Sequence, residues 1–201
     1  FYEAEIQVGS RDFFRPRIDL TGPLTTDGDL RYRFNALVQN DSGFRSFEQN
    51  YERLFLAPVL AWEIDDRTDI TFELGFTYDK QPLDFGLVAF GDGVVDVPRD
   101  RITNEPTDES ETTFFNVGYS LLHRFNDNWR LVNAFRFFDQ QYFADFYFPI
   151  VFDEETGNIL RAFQTRDLDF QTYSLQTNII GEFTTGAIGH TLLFGVDLSR
   201  Q

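Results

Sequence analysis

The stretch Ile70–Asp79 alternates between apolar and polar or small side chains over its whole length. Ile70, Phe72, Leu74, Phe76 and Tyr78 form one set, and Thr71, Glu73, Gly75, Thr77 and Asp79 form the other. Because successive side chains of a β-strand point to opposite faces of the sheet, this pattern predicts a strand with one apolar and one polar face. A tilted strand that crosses a bilayer needs about 9–11 residues, which matches this stretch. A soluble sheet can carry the same alternation. How often the pattern recurs along the chain therefore has to distinguish a membrane-spanning sheet from a soluble one.

The alternation recurs and predicts nine strands. They are expected at residues 2–8, 14–20, 31–38, 54–63, 70–79, 115–122, 129–137, 175–183 and 192–199. Asp65-Asp66-Arg67-Thr68 is typical of a tight turn, so residues 52–79 are interpreted as one hairpin. Pro16 and Pro58 weaken two of these predictions, because proline cannot donate to a ladder. The 54–63 strand is apolar on both faces, which leaves its register open.

The connections between the predicted strands fall into two groups by length. The even-numbered ones, Gly22–Asp29, Asp65–Thr68, Asn126–Asn128 and Thr184–Gly189, are short. The odd-numbered ones beyond the first, Asn40–Asn50, Lys80–Glu111 and Gln140–Arg166, are long. An up-and-down meander places these two groups at opposite ends of the sheet. Short turns at one rim and long loops at the other are typical of outer-membrane barrels, whose short turns are periplasmic. Trp62 and Trp129 lie beside short turns, where an interfacial aromatic belt is expected.

Composition narrows the functional classes. The chain of 201 residues contains 25 Phe, a residue favoured in strands, and no Cys. Disulfides, thiolate metal sites and a Cys nucleophile are therefore excluded for this stretch. Its 33 acidic and 17 basic residues give a net charge of −16, which argues against a basic surface for nucleic-acid phosphates. No apolar run approaches the ~18 residues that a transmembrane helix needs.

Four pairs of motifs resemble those of one family. D-L-T-G-P-L at 19–24 precedes L-R-Y-R at 30–33, and L-A-P-V-L-A-W at 56–62 precedes D-I-T at 69–71. Y-S at 119–120 precedes F-N-D-N-W-R-L at 125–131, and G-E-F-T-T-G at 181–186 precedes H-T-L-L-F-G-V-D at 190–197. In their order and spacing these motifs resemble the barrel of TonB-dependent siderophore receptors, most closely the ferrichrome type.

The resemblance implies an all-β fold. The chain is expected to be an antiparallel up-and-down meander of about nine strands, part of a transmembrane barrel of about 22 strands with a plugged lumen. Residues 1–201 are then one partial barrel domain, with the plug domain and the C-terminal strands absent. A nine-stranded open sheet would leave two bare edges, which lipid does not tolerate.

The same resemblance implies uptake of ferric siderophores through the outer membrane of a Gram-negative bacterium. The expected partners are a ferric siderophore, the plug domain of the same parent chain, TonB and outer-membrane lipid, with no nucleic acid. Neither enzymatic activity nor a cofactor is expected, because the iron arrives as part of the substrate complex.

Aromatic side chains in the two longest connections are the candidate ligand-binding residues. They are Phe85, Phe90, Tyr142, Phe146 and Tyr147. A siderophore presents apolar and aryl surface around an Fe(III) ion that it already coordinates, so a receptor needs aromatic contacts more than metal ligands. Ordinary packing within the loops is the alternative explanation for these residues.

Four arginines form a second candidate group. Arg15, Arg17, Arg31 and Arg33 lie on the polar faces of two neighbouring predicted strands, close to the Gly22–Asp29 turn. In a barrel this pattern predicts a lumen position near the periplasmic end. Contact with the plug is one interpretation, and a solvated lumen wall is the other.

Neither a catalytic nor a metal site is predicted. His123 and His190 have no convergent ligands in the sequence, and Asp92 between two glycines lacks the spacing of an EF-hand. Catalytic triads are recognised by geometry, and no spacing here indicates one. Two other function classes stay open: another outer-membrane barrel such as a porin or a barrel enzyme, and a soluble β-protein that binds a hydrophobic ligand.

Overall fold

Consecutive antiparallel pairing organises the computed structural model, which describes residues 1–45, 49–98 and 100–201. The strands are β1 Tyr2–Val8, β2 Phe14–Pro23, β3 Leu30–Asp41, β4 Tyr51–Asp65, β5 Thr68–Pro82, β6 Ala89–Phe90, β7 Gly93–Val94, β8 Glu109–Arg124, β9 Trp129–Phe152, β10 Ile159–Thr185 and β11 Ile188–Arg200. Within these described residues, nine strands form one sheet in the order β1-β2-β3-β4-β5-β8-β9-β10-β11, and β6 and β7 form a separate hairpin. The predicted nine-stranded meander is confirmed.

One face of this sheet, the apolar face, carries Ile70, Phe72 and Leu74. Across the β5–β8 ladder these residues lie opposite Leu121, Tyr119 and Val117, so apolar side chains meet apolar side chains. The large hydrophobic side chains of this face are widely exposed; they include Ile6, Trp62, Phe72, Val117, Tyr173, Phe194 and Leu198. A soluble monomer rarely exposes so extensive an apolar surface, whereas a barrel wall in lipid requires one. In the part of the chain that the structure describes, no helix is long and apolar enough to cross a membrane.

The opposite face, the polar face, carries Thr71, Glu73 and Asp79 and is crossed by ion pairs. Glu73, Gly118 and Arg136 occupy one row across β5, β8 and β9. Arg136 reaches over Gly118 to bind the Glu73 carboxylate. A Cβ atom at Gly118 would lie 2.4 Å from the carbonyl oxygen of Phe135. The glycine therefore allows the backbone of β9 to lie close to β8 in the row that this ion pair crosses.

The predicted hairpin around the Asp65–Thr68 turn is present, and its register is now defined. β4 pairs with β5 from Glu52 opposite Lys80 to Asp65 opposite Thr68. The pairs of the β4–β5 ladder step from Leu56–Phe76 directly to Val59–Glu73. Pro58 lies in this gap, so it does not have to donate a backbone hydrogen bond to β5. Proline is thereby accommodated inside a strand.

Both tryptophans lie at the short-turn end of the apolar face. Trp62 lies opposite Ile70, three residues before the β4–β5 turn, and Trp129 is the first residue of β9. The Trp129 ring covers Gly181, where a Cβ atom would approach it to 2.4 Å. The side-chain positions are those of an interfacial aromatic belt, as the sequence predicted.

Loop lengths differ from the prediction in one major respect. Gln140–Arg166 is not a long connection: β9 and β10 run through it as a tall hairpin, joined by residues 153–158. The D-E-E-T-G-N sequence at 153–158 predicts the tip of a hairpin, and these residues form it. Residues 83–108 do form a long loop, which contains the β6–β7 hairpin. Residues 46–48 of the expected Asn40–Asn50 connection, and Arg99 of the Lys80–Glu111 connection, lie outside the described residues.

Candidate functional site

Three phenylalanines meet where the 83–108 loop folds against β9. The ring centroid of Phe85 lies 5.5 Å from that of Phe146 and 5.3 Å from that of Phe148. Phe146 and Phe148 are two residues apart on β9 and so share a face, and Phe146 is only 3% exposed while Phe85 keeps 38%. We call these three side chains the aromatic wall.

The aromatic wall belongs to the polar face of the sheet. Pairing of β9 with β10 is uninterrupted from Arg136 to Phe146, so these two residues point the same way. Tyr142 lies on this face as well, four residues before Phe146. Arg166 of β10 places its guanidinium 5.3 Å from the centroid of the Phe146 ring, within cation–π range. The site therefore combines aromatic surface with a cation on the side that a barrel encloses.

The five predicted ligand residues divide into three positions. Phe85, Phe146 and Tyr142 lie on or beside the aromatic wall. Phe90 of β6 packs edge-on against Phe152 at the top of β9, with ring centroids 6.0 Å apart. Tyr147 is on the opposite face from Phe146, with the Arg161 guanidinium 5.1 Å from its ring centroid. The interpretation of Tyr142, Phe146 and Tyr147 as loop residues was wrong, because all three are in β9.

The four predicted arginines share the polar face, and three of them form ion pairs with carboxylates on the same face of neighbouring strands. Arg17 binds Glu3 and Glu5, Arg33 binds Asp19 at 2.7 Å, and Arg31 binds Glu63. Arg15 has a buried Nε that finds no hydrogen-bond partner among the residues that the structure describes. In this fold Arg17 contributes to neutralising a row of acidic side chains on β1.

Their expected position near the short turns is correct for only half of this group. Arg31 and Arg33 follow the β2–β3 turn directly. Arg15 and Arg17 begin β2 at the other end, next to the β1–β2 connection at residues 9–13. The prediction placed all four near the short-turn end because it took sequence proximity to Gly22 as proximity in the sheet, whereas the strand carries Arg15 away from that turn.

The histidines are bound to neighbouring threonines. Thr68 Oγ1 lies 2.9 Å from Nδ1 of His123, and Thr185 Oγ1 lies 2.6 Å from Nε2 of His190. Asp92 lies in the turn between β6 and β7. Over residues 1–45, 49–98 and 100–201, the structure contains no cluster of three or more His, Asp or Glu side chains that could hold a metal ion.

Sequence reasoning missed Phe148 and Arg166. The sequence offers no clear signal for them, because aromatic residues occur at both odd and even positions of 142–148. The segment was therefore interpreted as a loop, in which side-chain direction has no period.

Comparisons with known proteins agree with this architecture. The metal-pseudopaline receptor CntO of Pseudomonas aeruginosa PAO1 is 30% identical over 203 residues, covering all of this chain and 28% of the receptor. The ferrichrome outer membrane transporter/phage receptor of Escherichia coli K12 is 25% identical over 224 residues, covering 99% of the chain and 30% of the transporter. The crystal structure of the ferric-catecholate import receptor Fiu from E. coli K12 superimposes with a TM-score of 0.83 at 19% identity, covering 98% of this chain and 31% of Fiu.

The three matched proteins are of the same kind. No protein-family model matches the chain. The chain spans about 28% of the length of the relative with 30% identity. All three proteins are named as receptors or transporters, not enzymes, and the match to Fiu extends along the whole nine-stranded meander. Over its whole length the chain is therefore similar to a barrel segment of TonB-dependent siderophore receptors of the bacterial outer membrane.

Proposed function

We propose that the full-length protein takes up a ferric siderophore, driven through TonB, and that this chain supplies nine strands of the barrel and part of the ligand-binding vestibule. The aromatic wall carries this proposal. It lies on the polar face, at the end of the sheet where the 83–108 loop and the β9–β10 hairpin project. A bilayer-spanning barrel of this family encloses the polar face and directs its long loops outward.

Aromatic contact is the chemistry that this site offers to an organic iron complex. The exposed part of Phe85 and the ring of Tyr142 present apolar surface, while the Arg166 guanidinium lies over the Phe146 ring. Burial of one aromatic ring against a ligand is worth about 1.5–3 kcal/mol, which is roughly ten- to hundred-fold in affinity. The acidic 83–108 loop gives no long-range attraction for anions. Capture of the siderophore therefore depends on direct contact, and its binding should respond weakly to salt.

The plug of the same parent chain is the proposed partner of the polar face. Arg31 and Arg33 present guanidinium groups there while held by Glu63 and Asp19. Arginine bound on one side by a carboxylate still has donors for a second acceptor, which a plug backbone or side chain can supply.

The experiment is a binding assay on whole cells that express the full-length protein. The probes are 55Fe-loaded ferrichrome, ferrioxamine B and pyoverdine, with transport measured in cells with and without TonB. We expect at least one probe to bind in both strains and to be transported only with TonB. Failure of all probes to bind would contradict these siderophores as substrates, and TonB-independent uptake would contradict the transport mechanism.

Substitutions separate the aromatic wall from the rest of the rim. For the probe that binds, Phe85→Ala should weaken binding by about tenfold or more. Tyr147→Ala is the matched control, because Tyr147 lies nearby on β9 but faces the other way. Equal losses in both variants would show that β9 is disturbed as a whole and that the wall is not the contact surface.

A further inference from the structure

One guanidinium connects two loops beside the aromatic wall. Arg45, in the connection between β3 and β4, donates from Nε to Oδ2 of Asp84 at 2.8 Å, and its Nη2 binds the same oxygen. Its Nη1 donates to the carbonyl oxygen of Arg101 at 3.3 Å. Asp84 and Arg101 lie in the two arms of the 83–108 loop. Arg45 therefore ties the β3–β4 connection to both arms at once.

This ion pair is protected from water, unlike those across the polar face. The Arg45 side chain is 7% exposed and that of Asp84 is 18% exposed. The Phe44 ring lies beneath the guanidinium, and the distance from Arg45 Cζ to the ring centroid is 4.5 Å. A shielded pair with several hydrogen bonds holds its geometry far better than an exposed pair does.

Asp84 also shapes the backbone at Phe85. Its second oxygen, Oδ1, accepts a hydrogen bond from the N–H of Gly86 at 2.8 Å. Gly86 has a positive φ of 75°, so the chain turns sharply there. Phe85 lies between these two residues, and its direction follows from the turn that Asp84 closes.

We propose that Arg45 and Asp84 are positioning residues for ligand binding: they keep the 83–108 loop ordered so that Phe85 stays against Phe146 and Phe148 before the siderophore arrives. The inference rests on the proposed function and extends it to the β3–β4 connection. When only a fraction of the protein has the conformation that binds the ligand, the apparent affinity is the intrinsic affinity multiplied by that fraction. Arg45 keeps this fraction near one, and its removal leaves the Asp84 carboxylate without its shielded counter-charge.

The ordering can be measured without any ligand. The chain contains no Cys, and Ser110, which is 2% exposed, pairs with Ala144 next to the aromatic wall. In the full-length protein with any other cysteine replaced, Ser110→Cys provides a buried thiol, and we expect its reaction with a maleimide to report opening of the loop. Ala144→Cys serves as a second reporter if the first fails to assemble.

Arg45→Ala and Asp84→Ala should each raise the labelling rate at least about tenfold, and in the double variant the two increases should not multiply, because both single changes break the same ion pair. Arg53→Ala is the control, since its pair with Asp79 is on β4 and β5 and its side chain is 54% exposed. Unchanged labelling in Arg45→Ala, or equal acceleration in Arg53→Ala, would overturn the proposal.

Ligand binding provides the second readout. With whichever of ferrichrome, ferrioxamine B or pyoverdine binds the unmodified protein, Arg45→Ala should lower affinity by the factor by which the loop loses its ordered state, and Arg45→Lys should restore part of it. Faster labelling with unchanged affinity would overturn the positioning role. Failure of all three probes to bind the unmodified protein would contradict the proposed substrates instead, while the labelling rates still decide whether Arg45 orders the loop.

Discussion

Leu74→Arg provides the sharpest test of which face meets lipid. Leu74 is the seventh of fifteen residues in β5 and lies opposite Val117 on the apolar face, so it is close to the middle of the membrane-spanning part. Arginine on the lipid face of a barrel costs about 2–4 kcal/mol at the bilayer midplane and only about 0–1 kcal/mol near the interfaces. The central position therefore predicts a cost in the upper range.

The matched control is Thr71→Arg on the same strand. Thr71 lies on the polar face between Ala61 and Ser120, both small, so an arginine there extends into the lumen without displacing a large side chain. It also leaves the Glu73–Arg136 ion pair intact. Substitutions of this kind away from packed features usually change stability by less than about 0.5 kcal/mol.

The assay is urea unfolding of the full-length protein in lipid vesicles, followed by the shift of the heat-modifiable band. We expect Leu74→Arg to lower the free energy of unfolding by about 2–4 kcal/mol and Thr71→Arg to leave it nearly unchanged. A larger loss for Thr71→Arg than for Leu74→Arg would refute the assignment of the faces, and with it the register on which the ligand site depends.

Three further predictions follow from single contacts. Gly118→Ala should destabilise the barrel by about 1–3 kcal/mol in the same assay, because its Cβ would strike the Phe135 carbonyl oxygen, whereas Gly189→Ala, which has open space, should be neutral. A cysteine at Arg31 should react slowly with a bulky impermeant maleimide in the full-length protein and quickly after deletion of the plug; equal rates would leave only a solvated wall. Hydrogen bonds from the Thr156 hydroxyl, and then from backbone N–H groups, lower the pKa of Asp153. The ionised Asp153 therefore stabilises the hairpin tip fully above the usual aspartate pKa of about 3.9. This stabilisation is lost as the pH falls through the lower pKa of the folded state. Hydrogen exchange of residues 154–157, corrected for intrinsic pH dependence, should reveal opening at low pH that Asp153→Ala already shows at pH 7.

The sequence predicted the sheet well because one rule governs most of it. Where one face meets lipid and the other is polar, the alternation has to be regular, and Ile70–Asp79 expresses it without exception. Even the apolar stretch around Pro58 could be identified as a strand. Its register could not be predicted, since it depends on which residues of β3 and β5 lie opposite it.

The prediction failed where the lipid ends. Beyond about Asp139, β9 and β10 no longer need an apolar face, and aromatic side chains occur on both faces of the hairpin, such as Phe146 on one and Tyr147 on the other. Without a regular difference between the faces, sequence periodicity cannot separate a strand from an aromatic loop. The ladder to β10 keeps this segment extended nevertheless.

The candidate site was predicted in composition but not in arrangement. Phe85 and Phe146 could be selected as aromatic residues of the two longest predicted connections, yet their contact joins residues 61 positions apart and depends on how the 83–108 loop folds. The Arg45–Asp84 pair likewise joins two loops, and neither loop carries a periodic signal. Contacts of this kind follow from tertiary packing alone.

The register of the membrane-spanning part determines which aromatic residues can reach a ligand. β9 runs from Trp129 at the short-turn end to Phe152 at the other, and its side chains keep a period of two from Arg136 to Phe146. A slip of one residue would turn Phe146 away from the lumen and Tyr147 into it, and it would also bury Arg136 in lipid. The energetic penalty for that arginine is paid in the bilayer, far from the site. Lipid thus selects, through the ladder, the face on which the aromatic wall stands, and loop sequences can vary without changing that choice.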